Sequence, residues 1–392
     1  MQLLQLGVSS VRNLGKQNIY FPSGVSILVG ANGQGKTSIL EAIHILSITR
    51  SFRTNTLRDV ICRVSHEDTL ERPIGFEISG LIRDSLSNEN SLSIRFNAAD
   101  SRRSFWIDSN PVPSAKHFLG RFPVVCFSPE DAEIVSGPPQ IRRNFVDRVL
   151  ALTDADFIDE TLSYHKVLRS RNALLAGKDE RGKSFAIELD LLTEMLAGYA
   201  NKIATKRQSI LVEIYSFFLP IYESIVSNDF AVKERVNFNY IGESIRDVMS
   251  VLSKEDIYLL MKRNTERDLR YRTTTIGPHR DDIDISFSSR TEDTKDILQA
   301  RKSASRGQLR SIALAMKLAT VELLYNKTGE RPLILLDDLE SELDMERRRS
   351  LYSLIHSYPC QLIITSTEVP KHISSIVDNY SVIRVKGGYV ES

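Results

Sequence analysis

Hydrophobic positions shift along this chain from strand spacing to helical spacing and back again. Val25 to Val29 (VSILV) is a short apolar run that ends in a glycine-rich turn, and Ser38 to Leu46 then places apolar residues at helical intervals. Alternating runs near Ile74–Ile82 and Leu92–Phe96, continued by Ser104–Ile107, predict an antiparallel β layer laid over that turn. Phe122–Phe127 reads as another buried strand, and Ser128-Pro129-Glu130-Asp131 as a helix start with proline in its first turn. Trp106, in an alternating run, is expected in the core.

From about Pro139 to Leu269 glycine and proline become scarce. Long amphipathic stretches dominate there, among them Ala186–Val226, where Leu189, Leu192, Met195, Leu196 and Tyr199 recur at helical spacing. No heptad persists long enough for an extended coiled coil. Strand pattern returns at Asp282–Phe287, followed by a helix over Leu309–Leu324, a buried strand at Pro332–Leu336 and a helix over Arg347–His356. Gln361–Thr365 and Ser381–Val385 are further strands. The expected fold is α/β: a mixed sheet with its glycine-rich turn and an antiparallel layer, formed by residues 1–138 and 271–392, with a helical arm or lid, 139–270, inserted.

Composition narrows the class without naming a function. Among 392 residues, 51 basic and 50 acidic side chains leave a net charge of +1, so any basic surface must be local. The N-terminus lacks the cationic lead of a signal peptide, and no run reaches the ~18 consecutive apolar residues of a membrane helix. Cys62, Cys126 and Cys360 are too far apart for a chelating pair, and the seven histidines are equally scattered. A cytoplasmic protein is expected, with no membrane partner.

The glycine-rich turn carries the chemistry. Gly30, Ala31, Asn32, Gly33, Gln34, Gly35, Lys36 and Thr37 fit the Walker A pattern, between a buried strand and an amphipathic helix that opens with Ser38. Glycines let the backbone curl so that its N–H groups surround phosphates, and the helix N-terminus adds its positive end. Lys36 brings a cation to the β/γ-phosphates of ATP, and the Thr37 hydroxyl is a Mg²⁺ ligand. Leu333–Asp338 (LILLDD) has the form of a Walker B strand: Asp337 emerges where it can hold the Mg²⁺ shell, and Asp338 could polarise the attacking water or accept its proton. Ser305-Arg306-Gly307-Gln308 precedes a helix, as a helix cap would, but also as the S-x-G-Q signature of an ABC ATPase does. Ser341–Asp344 follows Walker B where a D-loop stands.

Four motifs in this order resemble ABC-type ATPases, in which the signature contacts the γ-phosphate held by a second head. Ser305, Gly307, Gln308 and Asp344 would therefore complete a nucleotide site across an ATP-dependent homodimer. Further stretches are similar to the RecF family of the SMC-like branch: Val11–Leu14 (VRNL), Phe127–Asp131 (FSPED), Val135–Pro139 (VSGPP), Arg142–Asp147 (RRNFVD), Gly277–Asp282 (GPHRDD) and the 335–344 run. That resemblance implies an ATPase head with a short helical arm, ATP-dependent DNA binding at gaps or single/double-strand junctions, and slow DNA-stimulated hydrolysis. It also implies work with RecR and RecO in loading RecA, within DNA replication, the DNA-damage (SOS) response and repair.

Thr365 stands where ABC transporters carry a γ-phosphate-sensing histidine, and a hydroxyl can bond a phosphate without carrying imidazole's charge. The Phe127–Asp131 turn is the place for a Q-loop, although it holds no glutamine. Basic clusters at Arg142/Arg143/Arg148, Lys166/Arg169/Arg171, Lys262/Arg263/Arg267/Arg270/Arg272 and Arg301/Lys302 are either solvated faces or DNA-backbone contacts. Arg142 and Arg143 are equally suited to pairing with Asp131 or Asp147. In the GPHRDD stretch a structural turn that knits arm to head outweighs a catalytic His279. Other readings are the nucleotide-binding subunit of a transporter or chromosome-structure assembly, and an OLD-type nuclease. The latter needs an added acidic metal domain for which the sequence after the last strand leaves no room.

Overall fold

The protein is described here as a computed structural model, covering residues 1–62, 74–177, 182–226, 233–247, 250–290, 298–338, 359–369 and 379–391. The expected helix at 347–356 and the D-loop, with Asp344, lie outside the described residues. The chain divides into two compact units, Met1–Asp131 with Lys317–Ser392, and Ala132–Met316.

The first unit is built on two sheets. One contains β1 (Gln2–Ser9), β2 (Gln17–Tyr20), β4 (Gly75–Arg83), β5 (Glu89–Asn97), β6 (Arg102–Ile107) and β7 (Asn110–Val112), antiparallel throughout in the order β2-β1-β4-β5-β6-β7. The other contains β3 (Val25–Val29), β8 (Val124–Phe127), β14 (Leu333–Leu336), β15 (Leu362–Ser366), β16 (Tyr380–Lys386) and β17 (Tyr389–Glu391), ordered β17-β16-β3-β15-β14-β8. Its five central and right-hand strands run parallel, and only β17 turns back. β3, β14 and β15 are buried at every position, as strands covered on both faces must be.

Helix α1 (Lys36–Ile48) lies between the sheets, touching β4 and β5 on one side and β8 and β15 on the other. Ile39, Ile43 and Leu46 join Leu3, Ile78, Ile94 and Phe105 in one core. Only Thr37 along α1 escapes burial, so tertiary packing fixes the helix along the rest of its length. A one-turn helix α2 (Ala115–Phe118) adds Phe118 to that core. Trp106 corrects the sequence expectation: its neighbour Phe105 is the buried residue, while Trp106 faces outward beneath the Arg95 guanidinium, 5.4 Å from the ring centroid.

The second unit holds α3 (Glu133–Ser136), α4 (Pro139–Thr153), α5 (Ala155–Ala176), α6 (Lys183–Val226), α7 (Lys254–Arg263), α8 (Thr265–Tyr271) and α9 (Ala300–Ser303). It also carries strands that the helical expectation missed. β9 (Lys233–Ile241) pairs antiparallel with the whole of β12 (Asp282–Arg290), while β10 (Ile245–Asp247) pairs with β11 (Ser250–Val251) and β13 (Leu298–Gln299) edges β12. Pairing with β9 is why 282–316 groups with the helices and not with the P-loop unit. α6 meets the length and composition of a membrane-crossing helix, with a window of mean hydropathy 1.4. Its apolar face is nevertheless engaged inside this unit, where Phe218 packs on Tyr222, Tyr215 and Phe238. Among the described residues the last helix is α10 (Arg306–Thr328), which starts in this unit and ends in the first.

Candidate nucleotide site

The P-loop joins β3 to α1. Gly35, the residue before α1, sits at φ 112°, a conformation that side chains other than glycine's resist, so the loop can turn its N–H groups inward. Lys36 donates to its own loop's carbonyls, Gly30 O at 2.5 Å and Ala31 O at 3.0 Å. Burial holds its ammonium pKa below the ordinary lysine value, against the pull of Asp338 and Asp337. A cation stripped of water beside exchangeable carbonyl contacts is suited to phosphate oxygens.

Walker B lies two strands away, with β15 between β3 and β14. At the strand ends the Thr37 hydroxyl donates to Asp337 Oδ1 (2.8 Å), and the Thr365 hydroxyl donates to the same oxygen (2.9 Å). Thr365 Oγ1 in turn accepts the Asp338 N–H at 3.0 Å. Burial raises the Asp337 pKa, with Glu130 adding to the rise and the two hydroxyls and Arg53 opposing it. Asp338 is exposed and left-handed, at φ 44°. Thr37 and Asp337 thus supply two hard oxygen donors side by side, the small protein share that Mg²⁺ takes beside phosphates and water. Among the described residues there is no cluster of three or more His, Cys, Asp or Glu side chains that would favour a different metal. The donors fit Mg²⁺.

Several supporting residues escaped the sequence reading. The β16–β17 turn carries Gly387 and Gly388, both with positive φ, and grips the P-loop: Gly387 N–H donates to Gln34 Oε1 (2.5 Å) and Gly388 N–H to Gln34 O (3.0 Å). A Cβ on Gly388 would stand 1.9 Å from Asn13 O, so a side chain has no room there. The Gly-Gly pair between alternating residues was a readable hairpin signal. Asn13 donates to Gly33 O and accepts from Ser38, which places part of the VRNL stretch against the loop. Arg12 makes a two-pronged contact with the fully buried Glu41 of α1 (2.8 and 2.7 Å), and Arg53 approaches the same carboxylate at 3.5 Å. No sequence spacing links those three residues; the sheet-over-helix packing does.

In the second unit the signature is a reciprocal cap on α10. Ser305 N–H donates to Gln308 Oε1 (2.7 Å), and Gln308 N–H to Ser305 Oγ (3.3 Å). Gln308 also reaches Glu234 on β9 at 2.6 Å. Ser305 itself is exposed at the start of a long helix, with Gly307 half-buried behind it.

The basic clusters sort by burial. Arg142 is bidentate to Asp282 (2.7 and 2.9 Å), and Arg143 donates to Asp281 O and Gln140; both are buried, so neither is a DNA contact, and neither meets Asp131 or Asp147. Asp147 belongs to Arg207 and Asp131 to Lys317. Arg171 is fully buried against Asp268, Thr193 and Thr274, and Lys262 pairs with Asp190. Lys262, whose pair is itself exposed, remains at the surface with Lys166, Arg169, Arg263, Arg267, Arg270, Arg272, Arg301 and Lys302. The GPHRDD stretch is structural: Pro278, His279, Asp281 and Asp282 bond to Arg207, Tyr164, Tyr240 and Arg142 of the segment read from sequence as the arm, and both segments lie in the second unit. His279 Nδ1 meets Tyr164 Oη at 2.6 Å and its Nε2 meets Thr274 O, with burial lowering its pKa to about 4.

Residues 2–390 match the model of the RecF/RecN/SMC N-terminal domain. The chain is 32% identical to the DNA replication and repair protein RecF of Lactobacillus acidophilus, over 100% of this chain and 98% of that one, and 32% identical to the RecF of Trichlorobacter lovleyi (99% and 97%). A solved structure of the recombination mediator protein RecF with ATP, from the RecFOR pathway, superposes with a TM-score of 0.85 at 30% identity, covering 99% of this chain and 96% of that one. An Smc head domain from Pyrococcus furiosus, at 15% identity and a TM-score of 0.54 over 99% and 95%, shares the fold. With the P-loop, the Walker B carboxylates and the signature cap all in place on that fold, the chain belongs to the RecF family of SMC-like ABC ATPases.

Proposed function

We propose that this chain is an ATP-gated DNA-binding protein of recombinational repair. Two copies close head to head on DNA when ATP is bound, and slow DNA-stimulated hydrolysis to ADP and phosphate releases them. The observation that carries the reading is the Thr37–Asp337–Thr365–Asp338 constellation: two hydroxyls on a buried carboxylate, with the backbone N–H of the second acid bonded to one of them, at the end of the P-loop sheet. RecF relatives act in DNA replication and repair and, in the RecFOR pathway, as recombination mediators. By that kinship the partners are gapped or junction DNA, RecR and RecO, with RecA loading as the outcome.

In this mechanism the P-loop N–H groups and Lys36 hold the phosphates. Lys36 exchanges its Gly30 and Ala31 carbonyls for phosphate oxygens, a charge-assisted contact stronger than the one it leaves. Thr37 and Asp337 would hold Mg²⁺, which would supply charge neutralisation for the phosphates. Asp338, fixed through its N–H by Thr365, orients the attacking water and accepts its proton. Ser305 and the Gly307 N–H of one copy meet the γ-phosphate held by the other, the use for which an exposed helix N-terminus is fitted. The D-loop residue Asp344 and the cytoplasmic location belong to the same proposal.

Sedimentation with no nucleotide, with ADP and with a slowly hydrolysed ATP analogue, with and without gapped duplex, tests the reading. Dimers only with the analogue, tightened by DNA and lost in Ser305→Arg while that variant still binds nucleotide, support it. A monomer under every condition refutes the composite site.

A further inference from the structure

Lys317 belongs to no motif, yet it is one of the best-engaged cations of the first unit. Its ammonium lies 2.5 Å from Asp131 Oδ1, donates to the Cys126 carbonyl and sits 5.9 Å from the Phe127 ring centroid. Its side chain is 13% exposed and that of Asp131 17%. Asp131 is occupied on both oxygens, because Ser128 N–H donates to Oδ2 at 2.8 Å and Ser128 Oγ–H to Oδ1 at 3.3 Å. One ammonium therefore fixes the end of β8 and the whole turn that follows it.

That turn abuts the chemistry. β8 runs parallel to the Walker B strand with Phe127 beside Leu336, and the Asp337 N–H donates to the Phe127 carbonyl at 2.8 Å. The backbone position of the Mg²⁺-binding carboxylate is thus set by the residue over whose ring Lys317 lies. Asp131 is also the last residue before the chain leaves this unit, and Lys317 the first after it returns. The pair closes the neck of a long insertion, where the loop entropy of the inserted segment would otherwise spread the ends.

We propose that Lys317, through its ion pair with Asp131, is a positioning residue for ATP hydrolysis: it holds the Phe127–Asp131 turn so that Phe127 fixes Asp337. An ammonium is suited to the task because it donates to a carbonyl and a carboxylate at once and also supplies the charge that strengthens the bond to the carboxylate. The inference rests on the ATPase reading above and adds to it a residue outside all four motifs.

The test uses the full-length chain with MgATP, in Lys317→Met, Lys317→Arg and Asp131→Asn. Equilibrium titration of a fluorescent ATP analogue, steady-state phosphate release and thermal unfolding are read on each. Lys317→Met and Asp131→Asn are expected to bind nucleotide within about twofold of the original chain and to lose about tenfold in kcat, which is about 1.4 kcal/mol of activation free energy. Lys317→Arg, which keeps both donors, should recover most of that loss. Asp131→Asn removes charge without volume, so it remains informative if Lys317→Met unfolds. Unchanged kcat in a folded Asp131→Asn overturns the proposal, as does a loss of nucleotide binding equal to the loss in kcat. Absence of ATP binding by the unaltered chain would sink the ATPase reading instead, a distinct result.

Discussion

Replacing Thr365 by valine isolates one oxygen at the centre of the site. Valine has nearly the same shape, and Thr365 is almost wholly buried, so the change deletes a hydroxyl without opening a cavity. Two hydrogen bonds go with it: the donation to Asp337 (2.9 Å) and the acceptance from Asp338 N–H (3.0 Å). A bond to a charged group contributes roughly 1.5–3 kcal/mol, and the added buried methyl returns about 0.8 kcal/mol. The net cost to the nucleotide-free protein is then about 1–2 kcal/mol, visible as a modest fall in the unfolding midpoint. Catalysis should suffer more selectively. Asp337 keeps only the Thr37 hydroxyl, and the backbone at Asp338 loses the contact that holds it left-handed. A kcat loss of about tenfold, or about 1.4 kcal/mol, follows if that contact is fully used in the transition state. Phosphate binding by the P-loop is untouched, so the dissociation constant for ATP should move by no more than about twofold. Steady-state phosphate release at saturating MgATP, with nucleotide titration in parallel, reads both quantities. Thr365→Ser restores the oxygen and should restore kcat. If the valine variant turns over like the original, or the serine variant is as slow as the valine one, the hydroxyl is not what positions these carboxylates.

Three further predictions concern charge. Burial raises the folded-state pKa of Asp337, so its carboxylate opposes folding in full above that raised value, and the penalty disappears as pH falls toward the unfolded carboxylate range. Asp337→Asn should therefore raise the melting temperature of the nucleotide-free protein at neutral pH, lose that advantage on acidification, and abolish hydrolysis; an advantage independent of pH would contradict the assignment. Arg142→Gln breaks a bidentate pair with Asp282 on a nearly buried guanidinium, a change worth about 3–5 kcal/mol, and should lower stability without altering the salt dependence of DNA binding. Reversing the exposed Arg267 and Arg270 should do the opposite, leaving the melting curve in place while weakening DNA affinity and flattening its slope against salt; equal slopes would remove that face from the DNA surface.

What could be read from sequence was what local geometry determines alone. A P-loop needs its glycines and its lysine within a few residues, and a Walker B strand needs its apolar run to end in acid, so Gly30–Thr37 and Leu333–Asp338 were legible without a fold. The antiparallel layer was legible because one buried face forces alternation, yet period alone assigned Trp106 to the core, when Phe105 holds the inward side. β9 was hidden for a related reason. Val236, Phe238 and Tyr240 alternate with Arg235, Asn237 and Asn239, a strand pattern overridden by the helical reading that the scarcity of glycine and proline gave the whole stretch, and its partner β12 lies far along the chain. Charge misled most. Arg142, Arg143 and Arg171 share the spacing of a phosphate-binding surface, and only tertiary packing shows that each is buried and committed to an acid or a carbonyl. Lys317 inverts that lesson. Surrounded by apolar residues of an ordinary helix, it shows nothing in sequence, because what makes it matter is a turn at residues 127–131, far earlier in the chain, to which the fold brings it. Binding chemistry in this family is thus written into short motifs. The constraints that aim it, from Gly388 beneath the P-loop to Lys317 beside Walker B, are written only in long-range contacts, and substitutions there are where binding and turnover should come apart.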